Sequence, residues 1–299
     1  MTRPSPLSGV AAVTQRLAVL LAAGVAPPSA WEHVATSTAS PVAARVAGSD
    51  RIPEAIVDAA RDAGPLEADA WRGLAAAWSV ATDAGAPLAP SLREYAASLR
   101  SLAQAQREAE VALAAPVATA RMVMVLPAVG VLFGIALGFN TLGTLFTTPM
   151  GWGCLAVGLG LILLASRWNR RLVRAAQPRS AAPGLQFDLM AIAVGGGTSL
   201  DRAMAMVQGA TARFGLASDL SVLDAVLDLS RRAGVPAAEL LRSEADELRR
   251  AASAEAQERA AALSVRLMLP LGLCILPAFM ALGVLPLLVT VVSSTVGTF

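Results

Sequence analysis

Apolar and polar positions divide the 299-residue chain into stretches of two kinds. Three runs are almost wholly apolar: Met122–Phe139, Gly151–Ser166 (extendable through Trp168) and Leu267–Val292. Elsewhere apolar residues recur every third or fourth position, the period of a helix with one buried face. Leu88, Leu92, Tyr95, Leu99 and Leu102 form one such stripe, flanked by Arg93, Glu94 and Arg100. The pattern predicts helices over Val10–Ala23, Pro28–Ser37, Pro53–Ala63, Glu67–Ala84 and Leu88–Ala114. A second set is predicted over Leu185–Val194, Leu200–Phe214, Leu220–Ala233 and Pro236–Ala262. Pro27 and Pro28 suit a first helical turn, and Gly24, Gly64 and Gly85 suit helix stops. Thr198 and Asp201, in T-S-L-D, read as a capping box.

The two sets repeat one another. AGAPLAPSLREYAASLR, from Ala84, aligns without a gap with AGVPAAELLRSEADELR, from Ala233, at an offset of 149. Gly85 and Pro87 fall on Gly234 and Pro236, and Arg93 and Arg100 fall on Arg242 and Arg249. Upstream, LAVLLAAGVAPPSAW resembles MAIAVGGGTSLDRAM, with Gly24 against Gly197. The paired glycines lie 61 residues apart in the first copy and 37 in the second. The first copy therefore carries 24 extra residues, placed within Ser37–Glu67. Each copy is expected to end one helix at a glycine, turn through a proline and start a long amphipathic helix.

A bilayer core needs about 17–25 apolar residues as helix. The third run is ample, the first reaches that length with its flanks, and the second is short. Prolines 127, 270, 277 and 286 lie in these runs and predict kinks. No Asp or Glu occurs between Val111 and Phe187, yet RWNRRLVRAAQPR holds five arginines. Arg167, Arg170, Arg171 and Arg174 are therefore expected to anchor that flank in the cytoplasm and to meet lipid headgroups. The uncharged loop NTLGTLFTTPM and the tail SSTVGTF suit the outside, giving an internal N-terminus and an external C-terminus. A signal peptide, Arg16 followed by LAVLLAAGVA with cleavage after Ala26, would instead leave the five-arginine flank outside, against the positive-inside rule.

Composition narrows the chemistry. The chain is 55% hydrophobic and 15% charged, below the usual quarter charged for soluble proteins. A net charge of +2 gives no case for nucleic acid. All 24 basic residues are arginine, which excludes a P-loop lysine and Schiff-base chemistry. His33 is the one histidine, so no catalytic triad can form, and Cys154 and Cys274 sit in apolar runs as small hydrophobes. The Gly195–Gly197 run follows no strand and reads as a hinge between helices. Acid pairs such as Glu108/Glu110 do not face one another on a helix. No catalytic, cofactor-binding or metal site is expected.

The layout is helical module, two spans, helical module, one span. It resembles the platform (F-type) proteins of type II secretion and type IV pilus machines, in particular the tight-adherence (Tad) pilus branch. The two Gly-x-Pro segments carry the resemblance, with LAVLLAAGVAPPSAW and the Leu-Pro pairs at 126–127 and 269–270. It implies an all-α membrane protein with two cytoplasmic helical bundles and three transmembrane helices. The expected divisions are 1–114 (first bundle), 115–176 (a hairpin of two spans), 177–184 (linker), 185–262 (second bundle) and 263–299 (third span and external tail). It further implies a non-enzymatic scaffold in the cytoplasmic membrane. Its partners would be a hexameric secretion ATPase, pilin or pseudopilin subunits, lipid and further copies of itself. Arg93, Arg100, Arg242 and Arg249 are candidate ATPase contacts; Gly24, Gly85, Pro87, Gly197, Gly234 and Pro236 are structural turns. A transporter permease or a membrane-tethered signalling adaptor would share this layout.

Overall fold

Prolines open most of the first copy's helices. A computed structural model describes residues 5–136, 146, 149–175, 183–216, 219–266, 268–285 and 288. In it α1 (Pro6–Ala22), α2 (Pro27–Ser37), α3 (Pro41–Val46), α4 (Ile52–Ala59) and α5 (Pro65–Ala84) all have proline at the first or second helical position. There the missing N–H costs nothing and the fixed φ suits the helix. The second copy, α8 (Leu185–Gly195), α9 (Leu200–Arg213), α10 (Ser221–Ala233) and α11 (Ala237–Arg266), instead has an acid in each first turn: Asp188, Asp201, Asp224 and Glu239. These oppose the positive end of the helix dipole. Between the copies lie α6 (Leu88–Ala136) and α7 (Pro149–Ala175). No strand occurs among the described residues.

The paired glycines share a backbone. Gly24 and Gly197 have φ of 85° and 83°, and Gly85 and Gly234 have 69° and 68°. This left-handed conformation costs glycine nothing. At the two turns of the first copy, Gly24 and Gly85, the next residue's N–H reaches back five positions, Val25 to Leu20 and Ala86 to Ala81. Pro87 and Pro236 stand just ahead of α6 and α11 and offer their carbonyls to the first turns. The T-S-L-D box does not form: Ser199 caps α9 by backbone only, and the Thr198 hydroxyl donates to the Ala193 carbonyl at 2.7 Å. The turn places Thr198 over the open carbonyls at the end of α8, which compete successfully for its proton.

The chain divides into two units, one of residues 1–107 and 178–255, the other of 108–177 and 256–299. The two segments expected as separate bundles thus share one unit and one core. The reason lies in α5. Its residues from Trp71 through Ala81 are buried apart from Arg72, so no face is left for solvent and neighbours must cover every side. α1 and α4 pack on it from the first copy, and α8 and α9 from the second. Small side chains permit close approach. Gly73 faces the Tyr95 hydroxyl and Leu185, and a Cβ at Gly196 would lie 2.3 Å from the Ala84 carbonyl oxygen. Trp31 and Trp78 fill the core with ring centroids 6.1 Å apart. α3 and α4 occupy the segment read as the insert, burying Val42, Val46, Ile52 and Ile56.

In the second unit, Gly151–Leu172 is a 22-residue stretch of α7 long and apolar enough to cross a membrane, although the sequence marked it as the short run. Among the described residues it alone meets that test. The first apolar run continues α6 to Ala136, through Pro127 without a break in the helix. Of the third run, 268–285 is described. It alternates α and π turns, with π segments Leu271–Ile275 and Met280–Val284. These follow Pro270 and Pro277, where kinks were expected; the wider turn relieves the clash of the ring with the preceding turn. This stretch packs on α7, with Leu282 seated over Gly158 and with Ala165, Cys274 and Ile275 buried together. The 140–145 loop, the 177–182 linker, Pro286 and the tail lie outside the described residues.

Candidate functional site

The long helices that open at Pro87 and Pro236 lie side by side. In the first unit Arg242 Nε donates to Glu94 at 3.1 Å across a sequence separation of 148. In the second unit Gln257 donates to Glu108 at 3.0 Å across a separation of 149, the repeat offset itself. Within each unit, residues of α6 and α11 at or next to equivalent positions thus face each other. Such pairing requires both apolar stripes to bury at once. Leu92, Tyr95 and Leu99 of α6 and Leu241 and Ala245 of α11 are all buried.

A cleft of about 530 Å³ opens along this seam. Its charges are balanced by three acids and three arginines: Glu94, Asp188 and Asp246 against Arg242, Arg249 and Arg250. The deepest is the ion pair of Arg249 with Asp188, 2.8 Å long, with the side chains only 11% and 14% exposed. Asp246 holds the same guanidinium at 2.6 Å. Burial pushes the Asp188 carboxyl up to about 6, and the Arg249 charge offsets only part of that. Burial also works against the Arg249 charge, but Asp188 and Asp246 outweigh it, holding the guanidinium above its ordinary value. Burial, with the charge of Asp188 added, raises the Tyr95 phenol, whose hydroxyl donates to the Ala70 carbonyl at 2.7 Å.

The four candidate contact arginines fall into two kinds. Arg100 donates to Gln15 of α1 at 2.9 Å, and Arg249 donates to Asp188 of α8. Gln15 and Asp188 are equivalent: their offset of 173 equals that between Gly24 and Gly197. The second arginine of each signature thus ties the long helix to the first helix of its own copy. Arg249 is directed inward and offers little to a partner. Arg242 joins the two copies, and Arg93 is exposed with no ion pair among the described residues. Of the flank arginines, Arg167, Arg170 and Arg171 are exposed on α7. Asp188 escaped the sequence reading, although it left one signal: it is the sole charge in LQFDLMAIAVG. Among the described residues no three His, Cys, Asp or Glu side chains converge as metal ligands. His33 is exposed at α2, and both cysteines are free.

The geometry defines a class first: an all-helical chain whose duplicated module closes around one core and which carries a membrane-length apolar helix. Residues 13–136, less than half of the chain, match the family model described as type II secretion system (T2SS), protein F. That span runs from within α1 to the described end of α6, covering most of the first copy. No curated protein and no solved structure matches the chain.

Proposed function

We propose that the chain is a platform protein of a type II secretion or pilus machine, in the tight-adherence branch. It sits in the cytoplasmic membrane with three spans, its N-terminus inside and its C-terminus outside, and assembles with further copies of itself. The observation that carries this reading is the family match over 13–136, extended by the repeat to 185–262. In this role the duplicated module receives a hexameric ATPase, and the apolar helices guide pilin or pseudopilin subunits into the filament. Neither task needs a catalytic group. α6 and α11 suit the work because each supplies residues to both units, so motion imposed on one end is carried along an unbroken backbone. The ATPase contact is assigned to Arg93 and Arg242 rather than to the inward brace Arg249.

The test is crosslinking of the full-length chain to the co-expressed secretion ATPase, alongside filament or secretion assays in a deletion strain. The expected result is a crosslink that falls several-fold in Arg93→Glu and Arg242→Glu, with loss of filament or secretion in the deletion strain. Unchanged yields in both variants discard the contact. Solute transport by the reconstituted chain alone favours a permease and overturns the platform reading.

A further inference from the structure

The arginine face at the end of α7, expected from sequence to meet lipid headgroups, has a geometry that specifies which headgroup it suits. Arg167, Arg170, Arg171 and Arg174 follow the i, i+3, i+4, i+7 spacing of one helical face within Pro149–Ala175. Like charges at those spacings repel, and an isolated helix is less stable for it. Arg167, Arg170 and Arg171 are exposed and pair with no acid among the described residues, and the sequence has no acid from Val111 through Phe187. Negative charge supplied from outside the chain would relieve the repulsion.

Position identifies the source of that charge. The face overlaps the end of the apolar stretch Gly151–Leu172. Trp168, 37% exposed, sits within it, and Trp152, 59% exposed, sits near the other end of the same helix. Sixteen residues separate the two indoles, about 24 Å along a helix axis. Two tryptophans set just inside the span of a hydrocarbon core of about 30 Å mark its two interfaces. Leu159, Leu163 and Leu164 between them are more than half exposed, as suits contact with acyl chains. Guanidinium groups bind phosphate oxygens in a bidentate fork. We propose that the face formed by Arg167, Arg170 and Arg171, with Trp168, is a binding site for the phosphodiester headgroup of an anionic phospholipid. The negative lipid surface relieves the repulsion and fixes the depth of α7. The inference rests on α7 meeting a bilayer and is independent of any ATPase contact.

The test is native mass spectrometry of the detergent-purified full chain, titrated with phosphatidylglycerol or phosphatidylcholine. Phosphatidylglycerol is expected to bind at least about tenfold more tightly, and the preference is expected to shrink as salt rises. Arg170→Gln should weaken it about fivefold, and the triple Gln variant of 167, 170 and 171 should abolish the preference. The triple Lys variant, which keeps the charge, should retain part of it. Equal binding of the two lipids by the wild-type chain overturns the proposal, as does a preference untouched by the Gln variants. Displacement by equimolar inorganic phosphate assigns the site to small anions, and displacement by an acidic peptide assigns it to a protein; either overturns the lipid proposal. Should the triple Gln variant lose its helical circular dichroism, the salt titration of the wild-type chain decides: a preference unchanged by salt rejects the proposal. The ATPase crosslink is expected to be the same in all these variants, so the two readings fail separately.

Discussion

At Gly196 the room for one methyl group decides how closely two helices meet. Its backbone lies so near the end of α5 that a Cβ would collide with the Ala84 carbonyl oxygen. A backbone atom cannot swing aside as a side-chain tip can. Gly196→Ala should therefore lower the stability of the purified chain by about 1–3 kcal/mol in thermal melts, the usual cost of overpacking. Gly195→Ala, whose added methyl would meet nothing within 4 Å, should stay within about 0.5 kcal/mol of the parent. In the sequence, Gly195, Gly196 and Gly197 are one run of three and read as a hinge. Sequence pattern tells of backbone freedom, which Gly197 does use, but not of which neighbour comes close. For the same reason the repeated arginines read as an outward-facing pair, whereas Arg100 and Arg249 are drawn to Gln15 and Asp188.

At the scale of elements, that brace has a consequence for pH. Asp188 links α8 to α11, and its folded-state value of about 6 lies above its ordinary 3.8. The fold therefore favours the protonated carboxyl. Its contribution to stability is complete below the ordinary value and is lost as pH rises through about 6. Asp188→Asn should gain on the wild-type chain by about 2–3 kcal/mol between roughly pH 4 and pH 7, read from melts across that range. Arg249→Met should lose about 3–5 kcal/mol at neutral pH, since it leaves a buried carboxylate without its counter-charge. Combining it with Asp188→Asn should recover most of the loss, and full additivity of the two would show that the pair does not act as a unit. Element boundaries were largely legible, because the helical period and the glycine stops are local. The extra segment of the first copy was placed correctly within Ser37–Glu67, but α3 was not foreseen: six residues, Pro41–Val46, are too few to show a period.

At the scale of the whole molecule, the duplication was legible and the unequal burial of its two copies was not. The sequence aligns the turns and long helices of the copies as equals, which suggests two bundles. Yet α5 is buried on all sides, while its counterpart α10 buries only Leu223, Leu227 and Ser230, one narrow stripe. Alanine accounts for the misreading: it is small enough for a packed interior and common enough on a surface that α5 carries no clear stripe to interpret. The proposed topology, with the helical module inside the cell, can be tested directly. In a chain with Cys154 and Cys274 replaced by alanine, His33→Cys on the exposed face of α2 should resist an impermeant maleimide in intact cells and react after lysis. Labelling of intact cells at that position would place the module outside and end the platform reading.

The single core built from both copies bears on how the protein is made. About 100 residues separate the end of α5 from the start of α8, so at roughly 5–20 residues per second a ribosome needs on the order of 5–20 s to deliver α8. Throughout that interval α5 has its first-copy neighbours α1 and α4 but not α8 and α9, and the intervening apolar helices are emerging from the same tunnel. Biosynthesis must therefore shelter a half-built interior, and a gene split at the linker would hand each product a raw apolar flank to hide.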